Sequence, residues 1–289
     1  MITLNDYCRK TFGEKLYKLS LNGGMTCPNR DGTCGTEGCI FCSAGGSGDF
    51  TPDVTLPIEE QIEAAKKKVS AKFHGDRYIA YFQAYTNTYA PVDRLRALFE
   101  PVIHRPDIAV LSIATRPDCL PDDVLSLLGE LNQIKPVWVE LGLQTVKEES
   151  IGYIRRGYPT EVYDRAIANL NALGIHTVTH VILGLPGETL SDMEATVRHA
   201  IEAGTRGIKL QLLHVLKGTG LADDYEAGKF NVLSLDAYIE ALRACLSLLP
   251  ADLVVHRLTG DGPKKLLIAP QWSADKKAVI NRIHKELGI

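Results

Sequence analysis

No run of about 18 apolar residues occurs in the 289-residue chain, which excludes a membrane-spanning helix on length alone. The amino terminus, Met-Ile-Thr-Leu-Asn-Asp-Tyr, has neither the basic nor the apolar block of a secretory signal, so the expected location is the cytoplasm. A basic excess is missing too: the formal net charge of −3 argues against broad binding of phosphate backbones and leaves room for a local patch. Lys264, Lys265, Lys276, Lys277, Arg282 and Lys285 gather near the carboxyl end, where a solvated helix face accounts for them. Internal repeats, low-complexity segments and linkers are absent as well, so nothing in the composition divides the chain into modules.

Hydrophobic residues make up 45% of the chain, enough for a sizeable core. Short apolar, β-branched runs alternate with helical patterns, the rhythm of βαβ units around a parallel sheet. Strands are expected at 16–21, 78–84, 108–114, 137–143, 176–183 and 207–215, with helices at 58–71, 92–102, 161–173 and 191–203. The first turn lacks a Rossmann glycine pattern. Six βα units of this α/β class therefore fit a partial (β/α)6 TIM-type barrel better than a doubly wound sheet. Residues 1–215 are expected to form that core with a short N-terminal extension, and 216–289 to cover the barrel mouth within one compact unit.

In parallel barrels the reactive groups gather where the C-terminal strand ends converge. The first strand leads into "MTCPNRDGTCGTEGCIFCSAGG", residues 25–46, which holds four of the seven cysteines. Cytoplasmic thiols stay reduced, so such a cluster points to metal or catalysis rather than disulfides. The spacing is Cys27-x6-Cys34-x4-Cys39-x2-Cys42. Cys39 and Cys42 can chelate one metal or span two corners of an iron–sulfur cluster, with Cys27 or Cys34 as a third ligand. Four thiolates would suit structural zinc in a non-catalytic barrel protein; three would suit a 4Fe–4S cluster with one open iron. Placement at the barrel mouth favours the catalytic reading. Gly32, Gly35, Gly38, Gly45, Gly46 and Gly48 let the backbone wrap a metal. Cys8, Cys119 and Cys245 read as inert. Other strand ends are also polar: the turn Tyr85 to Tyr89, then Thr115, Arg116 and Asp118, then Glu140 and Gln144, then Gly184-Leu185-Pro186-Gly187-Glu188.

The cysteine loop resembles that of radical S-adenosylmethionine (radical SAM) enzymes, in the elongator-type branch with its longer first gap. The segments "TCPNRDGT", "GCIFC", "YFQAYTNTYAP", "ATRPDCL", "ELGLQT", "IRRGY", "HVILGLPGET", "KGTGL" and "HRLTGDGP" resemble the YhcC/YtqA family along nearly the whole chain. The resemblance implies a radical SAM barrel with a 4Fe–4S cluster on Cys27, Cys39 and Cys42, and makes Cys34 a spare thiol. Gln83, Ala84 and Tyr85 would hold the amino group of S-adenosylmethionine, and Glu140 and Gln144 would contact its ribose and methionine. Arg155 or Arg156 would pair with its carboxylate. Ile182, Gly184, Gly187 and Glu188 belong to the motif beside adenine, and Thr115 and Arg116 to the strand-three end of the same site.

Each position also has a plainer reading. Arg155-Arg156 suits a solvated helix start, Glu188 a first-turn acid favoured by the helix dipole, Thr115 to Asp118 a turn, and Asp261 a turn residue. By the resemblance, one electron cleaves the sulfonium to a 5′-deoxyadenosyl radical, which abstracts hydrogen from an unactivated carbon. Relatives with this loop act on tRNA. The implied reaction turns the carboxymethylaminomethyl group on C5 of wobble uridine into aminomethyl. Tyr85, Tyr89 or Trp272 would stack a flipped base. The implied partners are tRNA and an electron donor such as flavodoxin or ferredoxin. A radical enzyme acting on a small metabolite or peptide is the remaining alternative.

Overall fold

The computed structural model describes residues 1–73, 75–260 and 262–289; Asp261, expected in a turn, lies outside them. Eight parallel strands form one curled sheet, a half-barrel. They are β1 (Ile2–Thr3), β2 (Tyr17–Leu21), β3 (Tyr78–Phe82), β4 (Ile108–Thr115), β5 (Val137–Gln144), β6 (His176–Leu183), β7 (Gly207–Leu212) and β9 (Val254–Arg257), in the order β1-β9-β7-β6-β5-β4-β3-β2. A separate antiparallel pair joins β8 (Val215–Leu216) to β10 (Leu267–Ala269). Strands β2 to β7 are the six read from the sequence.

Alternation along these strands sorts the residues, because successive side chains point to opposite faces. Leu19, Phe82, Leu111, Ile113, Val139 and Leu141 turn outward into the main core. There they pack with residues of α2 (Ile58–Val69), α3 (Val92–His104), α4 (Asp122–Ile134) and α6 (Thr160–Ala172). Val181, Leu183, Ile208 and Leu210 do the same against α7 (Leu190–Glu202), α9 (Leu235–Ser247) and α10 (Lys276–Leu287). The intervening residues, among them Tyr81, Glu140, His180 and Lys209, line the cavity inside the curl. The inner face is polar because it surrounds a cavity and not a second apolar layer.

Helices α1 (Leu4–Phe12), α4, α5 (Glu148–Tyr153) and α8 (Gly220–Glu226) are additional to the sequence-based reading. The last two are too short to show a 3.6-residue period. Helix α7 starts where a capping box fixes it: the Thr189 side chain accepts from the Asp192 N–H, and Asp192 returns a bond to the Thr189 N–H. The expected boundary between 215 and 216 falls inside β8. The segment beyond it is also more than a cover, since β9 enters the main sheet between β1 and β7. No helix of the described residues is long and apolar enough to cross a membrane.

Candidate active site

A cavity of about 260 Å³ opens where the strands end, bounded on one side by the loop after β2. Cys27, Cys39 and Cys42 line it; Cys34 is exposed and does not. Side chains of the same loop hold the thiols in place. Arg30 donates to the carbonyls of Cys42 (3.1 Å) and Ser43 (2.7 Å). Asn29 Nδ2 lies 3.4 Å from Cys39 Sγ and donates to the Arg155 carbonyl at 2.7 Å, tying the loop to the segment after α5. A Cβ on Gly46 would lie 2.3 Å from the Tyr85 ring, so only glycine lets the loop lie on that ring. Burial, together with the neighbouring Cys42, pushes the Cys39 thiol up to about 12, against the Asn29 bond. Among the described residues, no three His, Cys, Asp or Glu side chains converge closely enough to share one metal ion.

Gln83, Tyr85, Thr115, Arg116, Glu140, Gln144, Arg156 and Ile182 also line the cavity. Ser20 holds the Gln83 side chain at 3.0 Å, and Tyr85, at φ +58°, donates its hydroxyl to the Ala44 carbonyl. Among the described residues, the buried Oε1 of Gln144 has no hydrogen-bond partner. Several expected contacts are placed elsewhere. Ala84 is fully buried and forms no part of the wall. Arg155 is exposed and pairs with Glu37. Gly184 sits against Leu233, and the Gly187 carbonyl accepts from Lys147. Glu188 is off the cavity, bonded by Thr145 and raised by burial.

The arginines of the wall are committed to the protein. Arg116 forms a two-pronged pair with Asp118, at 2.9 and 2.6 Å, and stands 4.9 Å over the Tyr158 ring. Arg156 is buried and spends its donors on the carbonyls of Leu143, Thr145 and Tyr158 and on Thr160. The "IRRGY" segment is thus a strap that closes the end of β5. Of the aromatics expected to stack a base, Tyr85 is at the cavity. Tyr89 bonds Thr33, and Trp272 packs against Tyr238 with its Nε1 on the Leu233 carbonyl.

The floor holds a charge network that sequence reading missed. Glu140 Oε1 accepts from Lys18 (2.6 Å) and Ser112 (2.9 Å), and Oε2 from His180 (2.8 Å) and Lys209. The carboxylate is therefore saturated by protein donors rather than open to a ribose. Burial raises its carboxyl, but Lys18 and Lys209 outweigh this and hold it well below the usual range. Burial and Lys209 push His180 down to about 4, leaving it neutral. Burial also works against the charge of Lys209, which Glu140 opposes. The signal for this network was period-two polar residues inside otherwise apolar strands.

The Radical SAM superfamily model matches residues 29–200, and the Radical_SAM C-terminal domain model matches 205–288. The chain belongs to the radical SAM superfamily. Its relatives include YtqA of Bacillus subtilis, 46% identical over 99% of this chain and 88% of that protein. YhcC of Escherichia coli is 37% identical over 92% and 85% respectively. A weaker match, 25% identical, is the tRNA uridine(34) acetyltransferase of Methanocaldococcus jannaschii, covering 61% of this chain and 32% of that protein. Among solved structures, the Elp3 of Methanocaldococcus infernus with an N-terminal deletion superposes with TM-score 0.68 at 15% identity, over 99% of this chain and 64% of that one. It shares the fold. The chain is a radical SAM enzyme, and the superfamily's cofactor pair, a 4Fe–4S cluster and S-adenosylmethionine, is its own.

Proposed function

We propose that Cys27, Cys39 and Cys42 hold the cluster, and that the enzyme converts the carboxymethylaminomethyl group on C5 of tRNA wobble uridine to aminomethyl. One observation carries the ligand assignment: three thiols face a single cavity and the fourth is exposed. Three thiolates on separate irons leave one iron open. The wall also fits S-adenosylmethionine. The unpartnered Gln144 Oε1 is an acceptor for an amino or hydroxyl group, and Gln83, Tyr85, Thr115 and Ile182 border the same space.

When bound, the pair supplies a 5′-deoxyadenosyl radical by one-electron reductive cleavage. This chain's residues bind, orient and exclude water. Arg30, Asn29 and Gly46 fix the thiol loop, the Arg156 strap closes β5, and the curled sheet with His214, Gly260 and Pro263 borders the space. The tRNA part is supported by the relative named for uridine 34, which matches 61% of this chain. The methylene of the substrate's glycine-like arm supplies the C–H bond to be broken. Loss of that hydrogen atom and of one further electron, taken up by an iron–sulfur or flavin acceptor, would give an imine. Water admitted after the radical step hydrolyses it to the aminomethyl group and glyoxylate. Tyr85 is the aromatic at hand for the base, a flavodoxin or ferredoxin the electron donor, and the cytoplasm the location.

Wobble nucleosides from cells with and without the gene test the substrate. Carboxymethylaminomethyluridine should accumulate at the expense of aminomethyluridine when the gene is lost; unchanged profiles remove the tRNA assignment. Anaerobic purification should give a brown protein with iron and sulfide in equal amounts, whereas a colourless zinc protein would remove the ligand assignment.

A further inference from the structure

The turn after β8 and the turn before β10 stand side by side at the rim of the cavity. Strand pairing sets Leu216 against Leu267, and the Lys217 N–H donates to the Leu266 carbonyl at 2.8 Å. The second turn is closed on itself, because the Leu266 and Leu267 N–H groups both donate to the Pro263 carbonyl. Leu216, Gly262 and Pro263 border the same cavity as the three thiols. Just beyond Lys217 the chain reaches the thiol loop itself: the Leu221 N–H donates to the Ile40 carbonyl at 3.0 Å, between Cys39 and Cys42. Three exposed ammonium groups stand on this fixed scaffold, those of Lys217, Lys264 and Lys265. Among the described residues none of them forms an ion pair. Acids nearby have partners of their own, Glu37 with Arg155 and Asp224 with Lys229 and the Tyr153 hydroxyl. Lys264 and Lys265 lie in a turn and not on α10, so the solvated helix face read from the sequence covers only the later basic residues. In a chain of net charge −3, this is a local patch and not part of a basic surface.

We infer that Lys217, Lys264 and Lys265 hold the phosphate backbone of an RNA strand while one of its bases enters the cavity. This rests on the tRNA substrate proposed above. A cavity of about 260 Å³ has room for a base with its arm and not for the chain that carries it. A base swung out of its stack leaves its sugar and phosphates behind, so the backbone must cross the rim. Lysine suits that position: an ammonium on a flexible stem meets a phosphate as a point charge and fixes register without reading sequence.

The test uses the cluster-loaded full chain and an anticodon stem-loop carrying 5-carboxymethylaminomethyluridine, read by fluorescence anisotropy across a KCl series. Each phosphate contact on a single strand adds about 0.7 to the steepness with which log affinity falls against log salt. Replacing Lys217, Lys264 and Lys265 together by Gln should weaken binding at low salt at least about tenfold and reduce the steepness by about 2. The same three positions changed to Arg should keep the wild-type steepness. Lys67→Gln, Lys68→Gln and Lys72→Gln together remove equal charge from the far end of α2, where Phe73 packs on Tyr17 and Tyr78, and should leave it unchanged. Wild-type steepness in the rim variant, or an equal loss in the α2 variant, overturns the inference. So does unchanged RNA binding with slower reduction of the cluster by flavodoxin, which would give the rim to an acidic protein. If an unrelated single strand binds as tightly and loses the same steepness in the rim variant, the rim stands and the anticodon preference falls. Absence of any RNA binding by the wild-type protein removes the rim, and the nucleoside profiles then decide the tRNA reading by themselves.

Discussion

Cys34 and Asn29 carry unequal weight in the thiol loop. Cys34 is exposed and off the cavity wall, so Cys34→Ser should leave iron content unchanged, whereas Cys39→Ala should lose the cluster; iron and sulfide analysis after anaerobic reconstitution decides. Asn29 places an N–H donor 3.4 Å from Cys39 Sγ. Hydrogen bonds to cluster sulfurs favour the reduced, more negative state. Asn29→Ala should therefore keep the cluster but lower its reduction potential in an EPR-monitored titration, and an unmoved potential would contradict the bond. The cysteines were legible because their number and spacing have few other uses. Asn29 was not, because no spacing rule marks an amide that meets a sulfur only when the loop folds back. The setting of Glu140 was hidden for a related reason. In "VWVELGL" it looked like a strand-end ligand, but the strand runs on to Gln144 and sets Glu140 mid-strand, facing Lys18 and Lys209.

At the scale of elements, strand and loop are fitted to each other through contacts that sequence spacing does not encode. The six central strands were legible as apolar runs because helices cover their outer face. Strands β1 and β9, of two and four residues, were not legible as sheet members, since their pairing joins the two ends of the chain. The inner face carries its own pattern: every second residue of β5, from Glu140 through Gly142 to Gln144, reaches the cavity. The loop after β2 meets that frame at Gly46, with φ +55° and the Tyr85 ring where a Cβ would go. Gly46→Ala must push the loop off β3's end. It should lower iron occupancy by more than half while the far-ultraviolet dichroism of the sheet and helices stays native. Full occupancy would mean the loop can seat without that contact.

For the whole molecule, the closed end of the half-barrel sets the response to acid. His176, His180 and His256 are half-buried there among Trp138, Lys18 and Glu140. Burial is the main cause that lowers all three, with His176 and His180 at about 4 and His256 well below its usual range. In the unfolded chain each takes up a proton near pH 6.5. Below that pH the unfolded state binds more protons than the folded one, so stability rises with pH and falls as acid is added. The contribution is fully present above pH ~6.5 and is lost progressively toward pH ~4, each histidine adding up to about 1.4 kcal/mol per pH unit. Glu140 reinforces the trend at the acid end, because a carboxylate held low by Lys18 and Lys209 is stabilising only while ionised. Urea midpoints should therefore decline steadily from pH 7 to 4.5, well before ordinary surface carboxylates titrate. His176→Gln should flatten the slope by about one proton's worth, since its ring stacks on Trp138 and Tyr7 but donates nothing to Glu140. A slope unchanged by that substitution would move the origin of acid lability from the barrel floor to the carboxylates.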